Sequence, residues 1–270
     1  MAVVLALVPR AVVAQDTDAG PTAHHEAARI IDAEMAMVDA TNQLASLSGQ
    51  QPSGLLDAIR HELAVDRAQF AFRQAARQEQ FHVYQLAGYA SVEQGVVPLL
   101  PAGVQSPFED SISALHSLYI LGGIDQYYLV NPHFTLPYAN AAPLSALRSY
   151  YDEAYRKYGV DPSYLASINF IESKFGRVVG PSSAGAEGPM QFLPSTWQAY
   201  GQGGNIWDPH DSILAAARYL AHNGAPVNMR NAIFHYNLDY DYVDAVESFA
   251  RAFRSDPDWL DRMYYWDTFG

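Results

Sequence analysis

The chain has 270 residues, no cysteine, and 29 acidic against 16 basic side chains, a net charge of −13. That length suffices for one large domain or two modest ones with a real core. The acidity excludes unspecific binding to nucleic acid or anionic lipid, and the missing cysteines exclude disulfides, thiolate metal sites and thiol nucleophiles.

Met1 to Leu7 is apolar, Pro9-Arg10 interrupts the run, and Ala11 to Ala14 resumes it. At roughly 14 residues it falls short of the ~20 needed to span a bilayer. Residues 1–14 read as a truncated signal peptide, because small Val12 and Ala14 precede polar Gln15-Asp16-Thr17; the cationic start of such a peptide is missing. Export is therefore expected, to the periplasm, the cell wall or the medium. No transmembrane run follows.

Residues 22–122 read as a helical N-terminal region. Thr22 to Ser48 shows helical spacing at Ala27, Ile30, Ile31, Met35, Val38 and Leu44, and Gln51-Pro52-Ser53-Gly54 breaks it. Leu55 to Leu86 follows, with Leu56, Ile59, Leu63, Phe70 and Phe81 on one stripe, so the pair should form an antiparallel hairpin. An arm, a spacer or half of a bundle would each fit. His24 and His25 are adjacent and point to different helix faces, which argues against a metal site. Gly95 to Pro107 reads as a loop, and Ser106-Pro107-Phe108-Glu109 as the start of a helix running to Leu121. Residues 123–142 form an aromatic, irregular linker containing Tyr127, Tyr128, Phe134 and Tyr138.

Residues 143–270 read as a run of capped helices. Pro143 to Lys157 stops at Gly159, and Asp161-Pro162 caps a helix that ends before Gly176. Asp208-Pro209 with Asp211 starts another, which stops at Gly224; Met229 to Asn237 and Asp241 to Phe253 are two more. Gly180 to Gly188 is too rich in glycine for a helix and should be a loop or short hairpin. The fold class is therefore mainly α. The aromatic cluster Tyr264-Tyr265-Trp266 is expected to dock on the domain.

Within the helix after Asp161, Leu165, Ile168 and Glu172 follow at i, i+3 and i+7, so this acid shares a side with the apolar stripe. Burial and the helix C-terminus both disfavour its anion, and the raised pKa that results suits a general acid. The plainer alternative is a capping or pairing role with Lys174 or Arg177.

Downstream spacing sharpens the choice. Ile171-Glu172-Ser173 is followed by Ser182 to Trp197, containing Gly188-Pro189-Met190-Gln191, and then by His235-Tyr236-Asn237. Together these motifs, over about residues 142–254, resemble the soluble lytic transglycosylase family, whose catalytic domain is goose-lysozyme-like and cleaves peptidoglycan. Pro189 stands where Leu is usual, and points to a subgroup in which it begins a short helix. Glu187 is a charge at a variable position, and His235 replaces a small residue.

The resemblance implies the following roles. Glu172 is the single acid and base, protonating the oxygen between N-acetylmuramic acid and N-acetylglucosamine and then activating the muramyl 6-hydroxyl to give a 1,6-anhydro product. Tyr236 bonds the carboxyl or the acetamido group. Met190, Gln191 and one of Ser182 and Ser183 contact sugar, and Asn237 fixes the helix end. Trp197 is core. A hydrolytic lysozyme would need a second carboxylate roughly 5–9.5 Å away; Glu187 is the candidate, since Asp208 and Asp211 are better read as helix caps. A non-catalytic cell-wall binding protein is the alternative outside enzymes. No metal or cofactor is indicated, and glycan strands are the one partner implied.

Overall fold

The computed structural model describes residues 22–88, 94–123 and 138–266. The signal-like residues 1–14 and most of the aromatic linker lie outside them. Among the described residues the molecule is helical: α1 (Ala23–Ser48), α2 (Leu55–Leu86), a 3₁₀ turn (Val97–Leu99), α3 (Ala102–Leu121), α4 (Leu144–Tyr158), α5 (Pro162–Ser173), α6 (Pro194–Tyr200), α7 (Pro209–His222), α8 (Met229–Tyr236), α9 (Tyr240–Ser255) and α10 (Trp259–Tyr264). Extended pairing among them is limited to two isolated bridges, Tyr138 with Val178 and Glu187 with Phe192. No described helix is long and apolar enough to cross a membrane.

The caps are those the residue types dictate. Thr22 accepts from the His25 amide, Asp161 from Ser163, Asp208 from Asp211 and Asp239 from Asp241. Gly159 ends α4 in the left-handed region at φ 71°, which costs glycine nothing.

α9 is the organising helix. It packs most extensively on α3 and, on another side, on α5, burying Tyr242, Val243, Val246, Phe249 and Phe253. Phe249 meets Phe170 of α5 edge to face at 5.1 Å. One hydrophobic core runs from Ala27 in α1 to Trp266, so α1–α3 share it with the later helices. Trp266 and Tyr264 dock as expected: the Trp266 ring lies 6.1 Å from Phe170, and the Tyr264 hydroxyl donates to Ala142 O at 2.9 Å.

Two expectations are overturned. The α2 stripe faces solvent: Leu56 is 71% and Phe70 57% exposed, with Ile59 and Leu63 open as well, and in α1 Met35 and Val38 point outward. Ala33 and Ala40 of α1 and Ala68, Ala75 and Ala76 of α2 are buried in their place, beside Ala27 and Ile30 of the expected α1 stripe. Small side chains let two backbones approach closely, and the larger ones are displaced to the outer face. The hairpin register is set by His82 against Glu26 Oε2 at 2.6 Å and His61 Nε2 against Leu47 O at 2.9 Å. The outer face of α2 carries a shallow groove of about 530 Å³, lined by Leu63, Asp66, Arg67, Gln69, Phe70 and Arg73.

The second correction concerns Pro107, which lies inside α3 instead of opening it. Pro101 caps the helix and accepts from the Val104 amide, so the first turn forms upstream of Pro107. Burial of Val104, Phe108 and Ile112 offsets the hydrogen bond that the proline forfeits. α6 and α10 are additional short helices, the first beginning on Pro194 and the second carrying fully buried Trp259.

The inverted stripe yields a measurable contrast. Leu63→Ala should shift unfolding free energy by no more than ~0.5 kcal/mol, whereas Phe170→Ala should cost roughly 3–5 kcal/mol. Chemical denaturation of both variants checks it; comparable losses would mean that the α2 stripe is covered in solution.

Candidate active site

α5 is buried along almost its whole length, from Leu165 through Ser173. Glu172 sits in its last turn, only 1% exposed. The Tyr242 hydroxyl, from α9, donates to Glu172 Oε1 at 2.7 Å, while Oε2 is buried with no protein partner. Desolvation pushes the carboxyl pKa up to about 8, against the opposing pull of the Tyr242 hydrogen bond. At neutral pH the group therefore keeps its proton. Tyr236 lies parallel to Tyr242, ring centroids 6.4 Å apart, and both phenols are held far above their usual pKa by burial and by Glu172.

A tight turn faces this helix. Glu187 and Phe192 exchange backbone hydrogen bonds at 2.8 and 2.9 Å, closing residues 188–191 into a small loop. Three successive carbonyls of the turn are each held by a side chain. Gly188 O accepts from Gln191 Nε2 (2.9 Å), Pro189 O from Asn169 Nδ2 (3.0 Å) and Ser173 Oγ (2.6 Å), and Met190 O from the Tyr236 hydroxyl (2.7 Å). Asn169 is oriented in turn by the Tyr151 hydroxyl at 2.8 Å. Gln191 adopts φ 48° and leaves Oε1 buried without a protein partner. Gly188 has φ 76°, and a Cβ there would run into the carbonyl oxygen of Ile206.

Residues 149–243 match the family model of the transglycosylase SLT domain. They form an SLT transglycosylase domain. Its fold is the lysozyme-like helical one, as expected, and the acid-bearing helix, the Gly188–Phe192 turn and the Tyr236-Asn237 junction all fall inside the matched segment. No solved structure matches the chain significantly.

Several residues of the SLT motifs take positions other than those expected. Tyr236 reaches Met190 O, and Tyr242, which the sequence reading missed, holds the carboxyl instead. Tyr242 lies six residues beyond Tyr236; both face inward, since α8 ends at Tyr236 and α9 begins at Tyr240. Met190 is fully buried, so it shapes the turn from beneath. Ser182 Oγ accepts from the Ala184 and Ala186 amides and so braces its own loop, while Ser183 is exposed. Pro189 opens a turn and not a helix, because Gly188 and Gln191 on either side both have positive φ. Asn237 caps α8, its amide donating to Ile233 O at 3.2 Å. Glu187 is half-buried beside the turn. Trp197 packs on Phe192 at 5.6 Å.

Asp208, His210 and Asp211 bring ligand atoms within 4.8 Å of one another. Each already serves local structure: Asp208 caps α7, Asp211 Oδ2 accepts from the Asn205 amide, and His210 meets Glu153 Oε2 at 2.9 Å.

Two variants probe the geometry. Tyr242→Phe removes the hydrogen bond that lowers the Glu172 pKa, so the carboxyl should titrate above its present value of about 8, read by ¹³C NMR of the side-chain carboxyl. Gly188→Ala must either break the turn or move Ile206, at a cost on the order of 2–4 kcal/mol; a thermal melt within a degree or two of wild type would contradict the packing described.

Proposed function

We propose that this protein is a peptidoglycan lytic transglycosylase, cleaving the β-1,4 bond between N-acetylmuramic acid and N-acetylglucosamine. The observation that carries the reading is the buried carboxyl of Glu172, held by the Tyr242 hydroxyl, within the residues that match an SLT domain. A glycosidic oxygen is a poor leaving group until it is protonated, and an acid with a pKa near 8 still holds its proton at neutral pH. Glu172 gives that proton to the bridging oxygen as the C1–O bond breaks. The substrate's own 2-acetamido oxygen stabilises the cationic C1. Glu172, now a carboxylate, takes the proton of the muramyl 6-hydroxyl as that oxygen attacks C1, and the 1,6-anhydro ring closes.

No carboxylate is among the described groups that perturb Glu172. That supports one acid serving twice over a pair of acids, which would feel each other's charge at the spacing a hydrolase needs. Tyr242 keeps the carboxyl oriented and stabilises its anionic form between the two steps. Gln191 Oε1, buried without a protein partner, would accept from a sugar hydroxyl or amide. We assign the catalytic unit to residues 143–270 and a helical region that shares its core to 22–122, with residues 123–142 between them. Action on peptidoglycan would place the protein outside the cytoplasm.

Glu172→Gln should abolish release of muropeptides from purified cell walls while leaving the fold intact. Mass spectrometry reads the product: anhydro ends support the proposal, free reducing ends would make the enzyme a hydrolase, and no release from wild type would leave a wall-binding protein. Because the protonated acid is the active form, kcat/KM should fall as pH rises through about 8.

Stability gives a second reading of the same group. The folded pKa lies above the unfolded value of 4.5, so the folded state binds the extra proton. The resulting stabilisation is complete below about pH 4.5 and lost as pH rises toward 8. Glu172→Gln removes this dependence, and at pH 8 should make the protein more stable by on the order of 2–4 kcal/mol. Calorimetry of both proteins between pH 5 and pH 8 checks it.

A further inference from the structure

One side chain of the N-terminal helices reaches the end of the acid-bearing helix. Lys174, two residues beyond Glu172, caps α5 in the left-handed region at φ 53°, and Phe175 follows at φ 62°. Glycine is the usual occupant of such a position, and two successive side-chain-bearing residues there are held only when their surroundings fix them. Their amides close the helix: Lys174 N donates to Phe170 O at 2.9 Å and Phe175 N to Asn169 O at 3.1 Å. Glu172 lies inside the turn that these two bonds complete.

The fixing groups are visible. Lys174 is 1% exposed, and its Nζ donates to the Tyr84 hydroxyl of α2 at 2.6 Å. The same ammonium lies 3.9 Å from the Phe170 ring centroid and 5.2 Å from that of Tyr84. Trp266 packs across both rings, at 6.0 Å from Tyr84 and 6.1 Å from Phe170. Phe175 is held against Phe170 at 5.4 Å. Tyr84 is itself tied to α3, since its carbonyl accepts from the Tyr119 hydroxyl at 3.3 Å.

We infer that Tyr84 is a positioning residue for Glu172: through Lys174 it holds the last turn of α5 closed, and so keeps the carboxyl out of water. This rests on the reading of Glu172 as the acid. It makes α2, outside the matched residues 149–243, part of the machinery that sets the acid's strength. With the Tyr84 hydroxyl gone, Lys174 loses the acceptor that ties its buried head to α2 at 2.6 Å. The left-handed pair can then relax, the two closing bonds lengthen, and water reaches Oε2. Tyr242 from α9 and Tyr236 from α8 are the described titratable groups that face the carboxyl, and neither changes in this step.

The test is Tyr84→Phe in the full-length protein, which keeps the ring and removes the acceptor, with Lys174→Met as a second variant. Two readouts are taken: turnover on purified peptidoglycan, and titration of the Glu172 carboxyl by ¹³C NMR, assigned with Glu172→Gln. Tyr84→Phe should lower kcat roughly tenfold with KM little changed, and move the carboxyl pKa down by about one unit or more from its value near 8. Lys174→Met should act in the same direction, and the double variant should be no worse than the stronger single one. A folded Tyr84→Phe protein with wild-type kcat and carboxyl pKa would overturn the inference. So would a destabilised variant whose folded fraction titrates as wild type, since Tyr84 would then be structural only. The titration separates the two readings. A carboxyl that moves in a protein releasing no muropeptides keeps the positioning role and removes the enzymatic one; an active wild type whose carboxyl stays put in Tyr84→Phe removes only the positioning role.

Discussion

Keeping a carboxyl group dry is the constraint on which the rest of this structure depends. Glu172 has one hydrogen bond, from Tyr242, and an oxygen with no protein partner. A carboxylate so placed would cost several kcal/mol, and the group answers by keeping its proton. That answer holds only while water is excluded from every side. α9 closes one side with Tyr242 and Phe249, and the Gly188–Phe192 turn lies against another, tied to Asn169 and Ser173 of α5. The helices upstream of residue 123 close the far end, where Tyr84 meets Lys174.

The turn deserves comparison with the helices around it. Helices satisfy their own backbone; a four-residue turn cannot, and each of its carbonyls would otherwise need water. Here, side chains from α5, α8 and the turn itself take that place at residues 188, 189 and 190. The turn is thereby rigid, and the buried polar atoms beside it that have no protein partner are Glu172 Oε2 and Gln191 Oε1.

Much of this was legible in the sequence, and for identifiable reasons. Caps at Asp161 and Asp208 use local chemistry, and local chemistry survives folding. The burial of Glu172 followed from its place on an apolar stripe. The α2 stripe misled because periodicity reports that a face is apolar and not what it meets; the close alanine seam with α1 outcompeted it. Pro107 misled because a proline reads as a helix start, while the burial of Val104 and Phe108 was a tertiary fact. Tyr242 and Tyr84 were illegible for one reason. Their partners lie 70 and 90 residues away, and no spacing rule connects an acid or an ammonium to a phenol that far along the chain.

The hairpin has a mechanical meaning as well. α2 is continuous from Leu55 to Leu86, so the 29 steps between its exposed start and Tyr84 span about 44 Å at 1.5 Å per residue. The alanine seam locks that rod to α1, and its last turns are embedded in the common core. The tip is therefore a fixed pointer and not a tether. Anything that meets Leu55 and Leu56 is held some 40 Å from the residue that steadies the acid, as by a calliper whose other jaw is the acid-bearing helix.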